Sequence, residues 1–162
     1  MTHPARDHEH GFVARGGPWV VVQFALMLAL AAAGPLGGDW FRGPLWSKAS
    51  AILCLAMGAW LGISGARDLG SNRTPYPRPQ AGSSLVDTGI YSRVRHPLYA
   101  ALIWLGYGLS LAFWSRAALV LAVAQHLFLH AKARREERWL AERFPGYGAY
   151  ASRVNRFFPR LR

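Results

Sequence analysis

At 162 residues, with 52% hydrophobic residues and a single cysteine, the chain has room for one domain, 1–162. The lone Cys54 excludes an intrachain disulfide framework and any CxxC metal site. A formal net charge of +11 would in a soluble protein suggest nucleic acid first, yet a mean hydropathy of +0.09 at this apolar content means that greasy blocks alternate with strongly basic segments.

Residues 1–17 are polar, carry His3, His8 and His10, and lead into the first apolar block with no clear cleavage site after it. They read as a mobile tail, not as a secretory signal or a metal site. Four uncharged stretches follow, 19–36, 49–66, 97–115 and 117–131. They predict an all-α, polytopic membrane helix bundle of about four transmembrane helices, ending in a cytoplasmic helical segment over 132–162. Pro18 and Pro35 bracket the first stretch, and Gln23 is its one strongly polar side chain.

The second stretch holds Gly58-Ala-Trp-Leu-Gly62, followed by Gly65. Small residues on one face let a neighbouring helix come close, and packing inside the bundle is expected here before dimerisation. Cys54, in the same stretch, is expected to be a small buried hydrophobe. The fourth stretch is short for a bilayer core of ~30 Å unless the helix runs on past Lys132, which the lack of Gly or Pro before Pro145 permits. His126 and His130 are four apart on one face of it. With no third ligand in the spans they are expected to line or pack the bundle, and no metal is expected.

Sixteen of the 19 basic residues fall before the first stretch, between the second and third, or after the fourth. Arg42, Lys48 and Arg116 fall on the other side. Basic loops stay in the cytoplasm, so both termini and the long middle loop are expected there, in a bacterial inner (cell) membrane. Attraction to anionic membrane lipids adds to the charge, and nucleic acid is not needed as a partner.

Two polar segments then stand out. One runs from Leu85 through Asp87, Tyr91, Arg93, Arg95 and His96 to Pro97, Leu98 and Tyr99; the other runs from Lys132 through Glu136 and Glu137 to Leu140. Too few residues separate the third and fourth stretches for anything but an antiparallel hairpin. The chain climbs about 24 Å from Tyr99 to Trp114 and descends about as far to Lys132, at ~1.5 Å per residue. The two segments must therefore meet at one membrane face. Pro97 suits a first helical turn, whose free N–H groups favour an anion, with Arg95 and His96 beside them. Tyr91 and Tyr99 add aromatic faces and hydroxyls. Glu136 and Glu137 add carboxylates for an ammonium or a ribose diol. A ligand bearing a carboxylate, an ammonium, a sulfonium and an adenosine finds a partner for each part, although Arg and Glu at span ends also snorkel and pair at interfaces.

The run Gly89-Ile-Tyr91-Ser-Arg93-Val-Arg95-His96-Pro97-Leu-Tyr99 resembles the hallmark of the isoprenylcysteine carboxyl methyltransferase and phospholipid methyltransferase superfamily. Glu136-Glu137, then Phe144-Pro-Gly-Tyr147-Gly-Ala-Tyr150-Ala-Ser-Arg153-Val154-Asn-Arg156-Phe157-Phe158-Pro159, are similar to its C-terminal signature in order and spacing. The resemblance covers about 85–159 and implies an enzyme that uses S-adenosyl-L-methionine. It implies that Leu85, Val86, Tyr91, His96, Pro97, Leu98, Tyr99 and Glu136 contact that cofactor, and that Lys132 sits by the methyl acceptor. The acceptor implied is lipophilic, either a small molecule such as a lipid headgroup or a prenylated carboxylate. This chain departs from the family in having Ala101 where Gly is frequent, and Lys132 where the eukaryotic members carry Arg.

Methyl transfer to a carboxylate or thiolate needs alignment and desolvation more than proton transfer. An amine or phenol acceptor needs a base, and His96, Glu136 and Glu137 are the candidates. Two rivals stand beside this reading. Membrane sterol reductases share the Arg-His-Pro-x-Tyr pattern and bind NADPH, but they resemble His-Pro-Asn-Tyr followed by Gly-Glu, where this chain has Leu98, Ala100 and Ala101. A non-enzymatic membrane scaffold would bind no nucleoside, so a calorimetric titration with S-adenosylhomocysteine separates it from both enzymes.

The charge distribution generates a first prediction. A reporter fused after Arg162 or at Gly82 is expected in the cytoplasm, and one at Gly38 outside it. A periplasm-active fusion after Arg162 would overturn the four-span topology.

Overall fold

The computed structural model describes residues 11–78 and 82–159. The three histidines of the 1–17 segment lie outside them, while Phe12, Arg15 and Gly16 of that segment pack against Tyr76 and Pro77. The described chain is all-helical: α1 (Gly17–Gly37), α2 (Leu45–Leu69), α3 (Pro97–Ala112), α4 (Arg116–Arg143) and α5 (Tyr147–Arg153). Short 3₁₀ turns occupy Gly70–Asn72 and Gly89–Ser92. Extended pairing among the described residues is limited to one bridge, Val94 with Asn155.

The helix boundaries follow local chemistry. Proline stands in the first turn of both α1 and α3, where a missing N–H costs nothing. Ser115 caps α4: its Oγ accepts from the Ala118 N–H at 3.2 Å and donates to the Ala33 carbonyl of α1 at 2.9 Å. Beside it, Trp114 takes a left-handed φ of 50°, which turns the chain from α3 into α4. That turn is why the third apolar stretch, expected over 97–115, is helical only to Ala112. The fourth runs on through Lys132 to Arg143, as the absence of breakers allows.

Two helices, α1 and α2, are long and apolar enough to cross a membrane. Helix α3 is apolar but 16 residues long, and the second half of the 28-residue α4 is densely charged. Helix α2 lies along α3, α1 lies along α4 and touches α3, and α3 pairs with α4.

The glycines of α2 face α3. A Cβ on Gly58 would come within 2.8 Å of Leu105 and 3.0 Å of the Ala101 carbonyl, and one on Gly65 within 3.0 Å of Pro97. Gly108 of α3 answers from the other side, against Leu55. The GxxxG pair thus serves the bundle itself, as expected. Ala101 closes against Gly62, so the methyl it adds relative to the family pattern is accommodated by a glycine opposite.

The main core lies at the α3 start and α4 middle, where Leu61, Ile90, Tyr91, Val94, Ile103, Leu129 and Phe157 pack together. A smaller cluster of Tyr147, Tyr150 and Val154 seats α5. Because the α2–α3 contact is made at backbone distance, Gly58→Leu is expected to cost about 1–3 kcal/mol by overpacking. Gly148→Ala, which meets nothing within 4 Å, should be near neutral. Thermal unfolding of both variants in detergent checks this.

Candidate functional site

The loop between α2 and α3 is shaped by one carboxylate. Asp68 at the end of α2 accepts the Ile90 N–H at 2.8 Å. It presses against Gly89, whose φ of 58° and contact with Asp68 exclude a side chain. The 3₁₀ turn that follows delivers Tyr91, whose hydroxyl donates to the Gly65 carbonyl at 3.3 Å. The Tyr150 hydroxyl of α5 in turn donates to the Tyr91 carbonyl at 2.7 Å. Burial pushes the phenols of Tyr91, Tyr147 and Tyr150 up, so all three remain protonated donors.

The polar segments before α3 and along α4 do meet. His96 stacks on Tyr99 with ring centroids 5.3 Å apart and planes 3° from parallel. The Tyr99 hydroxyl donates to Glu136 Oε2 at 2.6 Å. His96 Nε2 donates to Glu137 Oε1 at 3.1 Å, and the tautomer follows from that acceptor. Glu137 also takes a fork from Arg156, Nε at 2.9 Å and Nη2 at 2.5 Å, and lies 3.3 Å from Arg95. Burial alone would raise the Glu137 carboxyl, but Arg156, His96 and Arg95 overcome that and hold it at about 2.

A partly open cavity lies under the α2–α3 loop. Seven of the eight residues singled out for a cofactor line it: Leu85, Val86, Tyr91, His96, Leu98, Tyr99 and Glu136. Pro97 does not; it is fully buried against Gly65. Glu137 is turned to the ion-pair cluster and is not part of the cavity wall. Lys132 is fully buried and is also outside that wall. Its ammonium donates to Gln23 Oε1 of α1 and to the Pro75 carbonyl at 3.0 Å, and sits 5.2 Å from the Tyr99 ring centre.

The wall also holds Arg95, expected beside an anion at this helix start, and members that the motifs do not single out, among them Thr74, Tyr76, Pro77 and Tyr147. Tyr147 is visible inside the quoted C-terminal motif, but nothing in residue type marks it off from its neighbours. The 74–77 stretch carries no motif signal at all. His126 and His130 are packing residues as expected: His126 Nδ1 is 3.2 Å from the Tyr107 hydroxyl, His130 is 3.2 Å from Arg156, and both rings meet Phe157 edge-on.

The family model for phospholipid methyltransferases matches residues 46–146, from the start of α2 to the residue before α5. The chain belongs to the phospholipid methyltransferase family. Among curated proteins it is 38% identical over 149 residues to a cobalt-zinc-cadmium resistance protein, CzcN, of Cupriavidus metallidurans, covering 91% of this chain and 64% of that protein. It is 39% identical over 87 residues to a nickel-cobalt-cadmium resistance protein, NccN, of Alcaligenes xylosoxydans xylosoxydans, covering 53% of this chain and 41% of that one. The chain thus spans less than two thirds of the length of either relative. The family match contains every wall residue named from the motifs.

The Glu137 cluster gives a stability prediction with a defined sign. Breaking a largely buried ion pair leaves its partners uncompensated, so Glu137→Gln is expected to cost about 3 kcal/mol at neutral pH. The folded carboxyl sits at about 2, against ~4.3 for an unfolded glutamate. The contribution is therefore full above pH ~4.3 and is lost as pH falls toward 2. Denaturation across that window should be steeper in the wild type than in Glu137→Gln.

Proposed function

We propose that the chain is a membrane-embedded methyltransferase that binds S-adenosyl-L-methionine in the cavity under the α2–α3 loop and methylates a lipophilic acceptor. The observation that carries the reading is the convergence of seven family-implied contact residues on one cavity. The cavity also offers groups that fit such a ligand. The Tyr147 hydroxyl and Arg95 Nε are buried with no partner among the described residues, and both residues line the wall. An unsatisfied buried donor is costly, and a ligand carrying carboxylate and hydroxyl oxygens supplies what these two lack.

When bound, the cofactor supplies a methyl group made electrophilic by its sulfonium. The protein's part is then placement and exclusion of water. Arg95 and the first turn of α3 favour a carboxylate. Glu136, held by the Tyr99 hydroxyl, faces the cavity as the acceptor for an ammonium or a ribose diol. Leu85, Val86 and Leu98 supply apolar wall. A carboxylate acceptor needs no base. For an amine, His96 and Glu136 line the cavity, whereas the Glu137 carboxylate is already engaged and too weakly basic to take a proton.

On this reading α3 and α4 cross the membrane beside α1 and α2, giving four spans with both termini on the basic, cytoplasmic side. The continuous α4 supplies the length that its apolar portion lacks. The two relatives carry metal resistance in their names. For this chain the reading is membrane chemistry, carried by the residues that line the cavity.

Glu136→Ala and Tyr91→Ala are each expected to weaken S-adenosylhomocysteine binding while the protein stays folded in detergent. For Glu136→Ala the loss of one hydrogen bond to a charged group costs about 1.5–3 kcal/mol, at least tenfold in affinity, whereas Tyr91→Ala acts by removing cavity wall, since the Tyr91 hydroxyl is held by the Gly65 carbonyl. Calorimetric titration measures it, and unchanged affinity in both variants would remove the support for this site.

A further inference from the structure

Lys132, expected beside the methyl acceptor, lies outside the cavity wall, and its buried ammonium is taken up by the protein's own groups. A fully buried lysine needs its donors satisfied, and here the partners come from three different pieces of chain. Gln23 is in the second turn of α1, Tyr99 is in the first turn of α3, and the Pro75 carbonyl belongs to the loop after α2. Pro75 is flanked by Thr74, Tyr76 and Pro77, and all three of those line the cavity. The loop is therefore gripped from below at the one point between its wall residues.

The same loop is gripped from above. The Arg15 guanidinium lies 4.4 Å over the Tyr76 ring, and Phe12 meets that ring edge-on at 6.4 Å. Gly16, with a φ of 85°, packs against Pro77 so closely that a Cβ would come within 2.6 Å of it. Pro77 itself is fully buried. Nothing about cavity closure requires a cation at position 132 unless the cover must be tied to the bundle.

We propose that residues 74–77 form a cover over the cavity and that Lys132 is the positioning residue that ties this cover to α1 and α4, so that it governs how long a nucleoside ligand is retained. The inference rests on the cofactor reading above. It also explains the polar Gln23 inside an apolar helix, because its Oε1 fixes the ammonium so that the remaining donors are aimed at Pro75. The family resemblance implies that Lys132 sits by the methyl acceptor. With its partners already supplied by the protein, the residue acts instead through the cover.

The test compares wild type with Lys132→Met and Gln23→Leu, both apolar and close in volume, in the full chain in detergent. Two quantities are read: the dissociation rate of S-adenosylhomocysteine, and backbone hydrogen exchange over 73–78 against exchange over α3. The pin predicts a dissociation rate raised roughly tenfold in each variant and faster exchange confined to 73–78, with the double variant little worse than either single one. An unchanged rate and unchanged exchange over 73–78 in a folded variant overturns the proposal. Faster exchange spread equally over α3 also overturns it, because Lys132 would then only stabilise the bundle. If Lys132→Met does not fold, Gln23→Leu decides. If the wild type binds no S-adenosylhomocysteine, the cofactor reading fails, and the exchange over 73–78 still decides the pin.

Discussion

Three stretches of chain far apart in sequence meet on the carboxylate of Glu137. Arg156 approaches from the C-terminal segment, Arg95 and His96 from the turn before α3, and Glu137 itself projects from α4. A buried carboxylate is expensive to desolvate, and it is tolerated here because a bidentate guanidinium and an imidazole N–H take up its lone pairs. The backbone repeats the connection: the Arg95 and His96 N–H groups donate to the Asn155 and Arg156 carbonyls at 2.9 and 3.0 Å. With this joint made, the α3 first turn, the rotation of α4 and the seat of α5 are no longer independent. The cavity lies between those three elements, so its shape depends on a cluster of which Arg95 and His96 line the wall while Glu137 and Arg156 do not.

The two flanking helices are attached by different physics. Helix α2 approaches α3 through glycines, and the contact is van der Waals packing at backbone distance. Helix α1 buries few side chains, and Leu30 is the one large hydrophobe among them. It is fixed instead at separate points: Gln23 on Lys132, Trp19 beside Phe128, and the Ala33 carbonyl on the Ser115 hydroxyl. The two polar bonds are directional, and they fix the register of a helix whose inner face, from Trp19 through Leu30 to Gly34, lies along α4 and touches α3.

That contrast bears on what is legible in the sequence. The hairpin of α3 and α4, and the meeting of the two polar segments, follow from counting residues along a helix, because rise per residue is insensitive to side-chain detail. Gly58, Gly62 and Gly65 likewise announce a close helix contact. The cavity wall from the α2–α3 loop does not show itself: Thr74, Tyr76 and Pro77 have no periodicity, and their position depends on Gly16, Arg15 and Lys132, all distant in sequence. Gln23 is conspicuous as a polar residue in an apolar stretch. Its partner, however, is 109 positions away, and nothing in local spacing could pair them.

The adjacent carboxylates Glu136 and Glu137 show where residue type stops being informative. In sequence they are equivalent, and either could be assigned to a ligand. Consecutive residues on an α-helix diverge by about 100°, so one helix cannot aim both at the same place. The rotation of α4 sends Glu136 toward Tyr99 and the cavity and Glu137 toward Arg156, His96 and Arg95. Glu137 then has three cationic or donor partners, and its charge is neutralised within the protein. Glu136 has the neutral Tyr99 hydroxyl as its close partner, with His96 Nδ1 farther off at 3.9 Å. Its charge is therefore left to act on whatever enters the cavity. One carboxylate builds the site and the other faces it, and the choice between them lies in the rotation of α4.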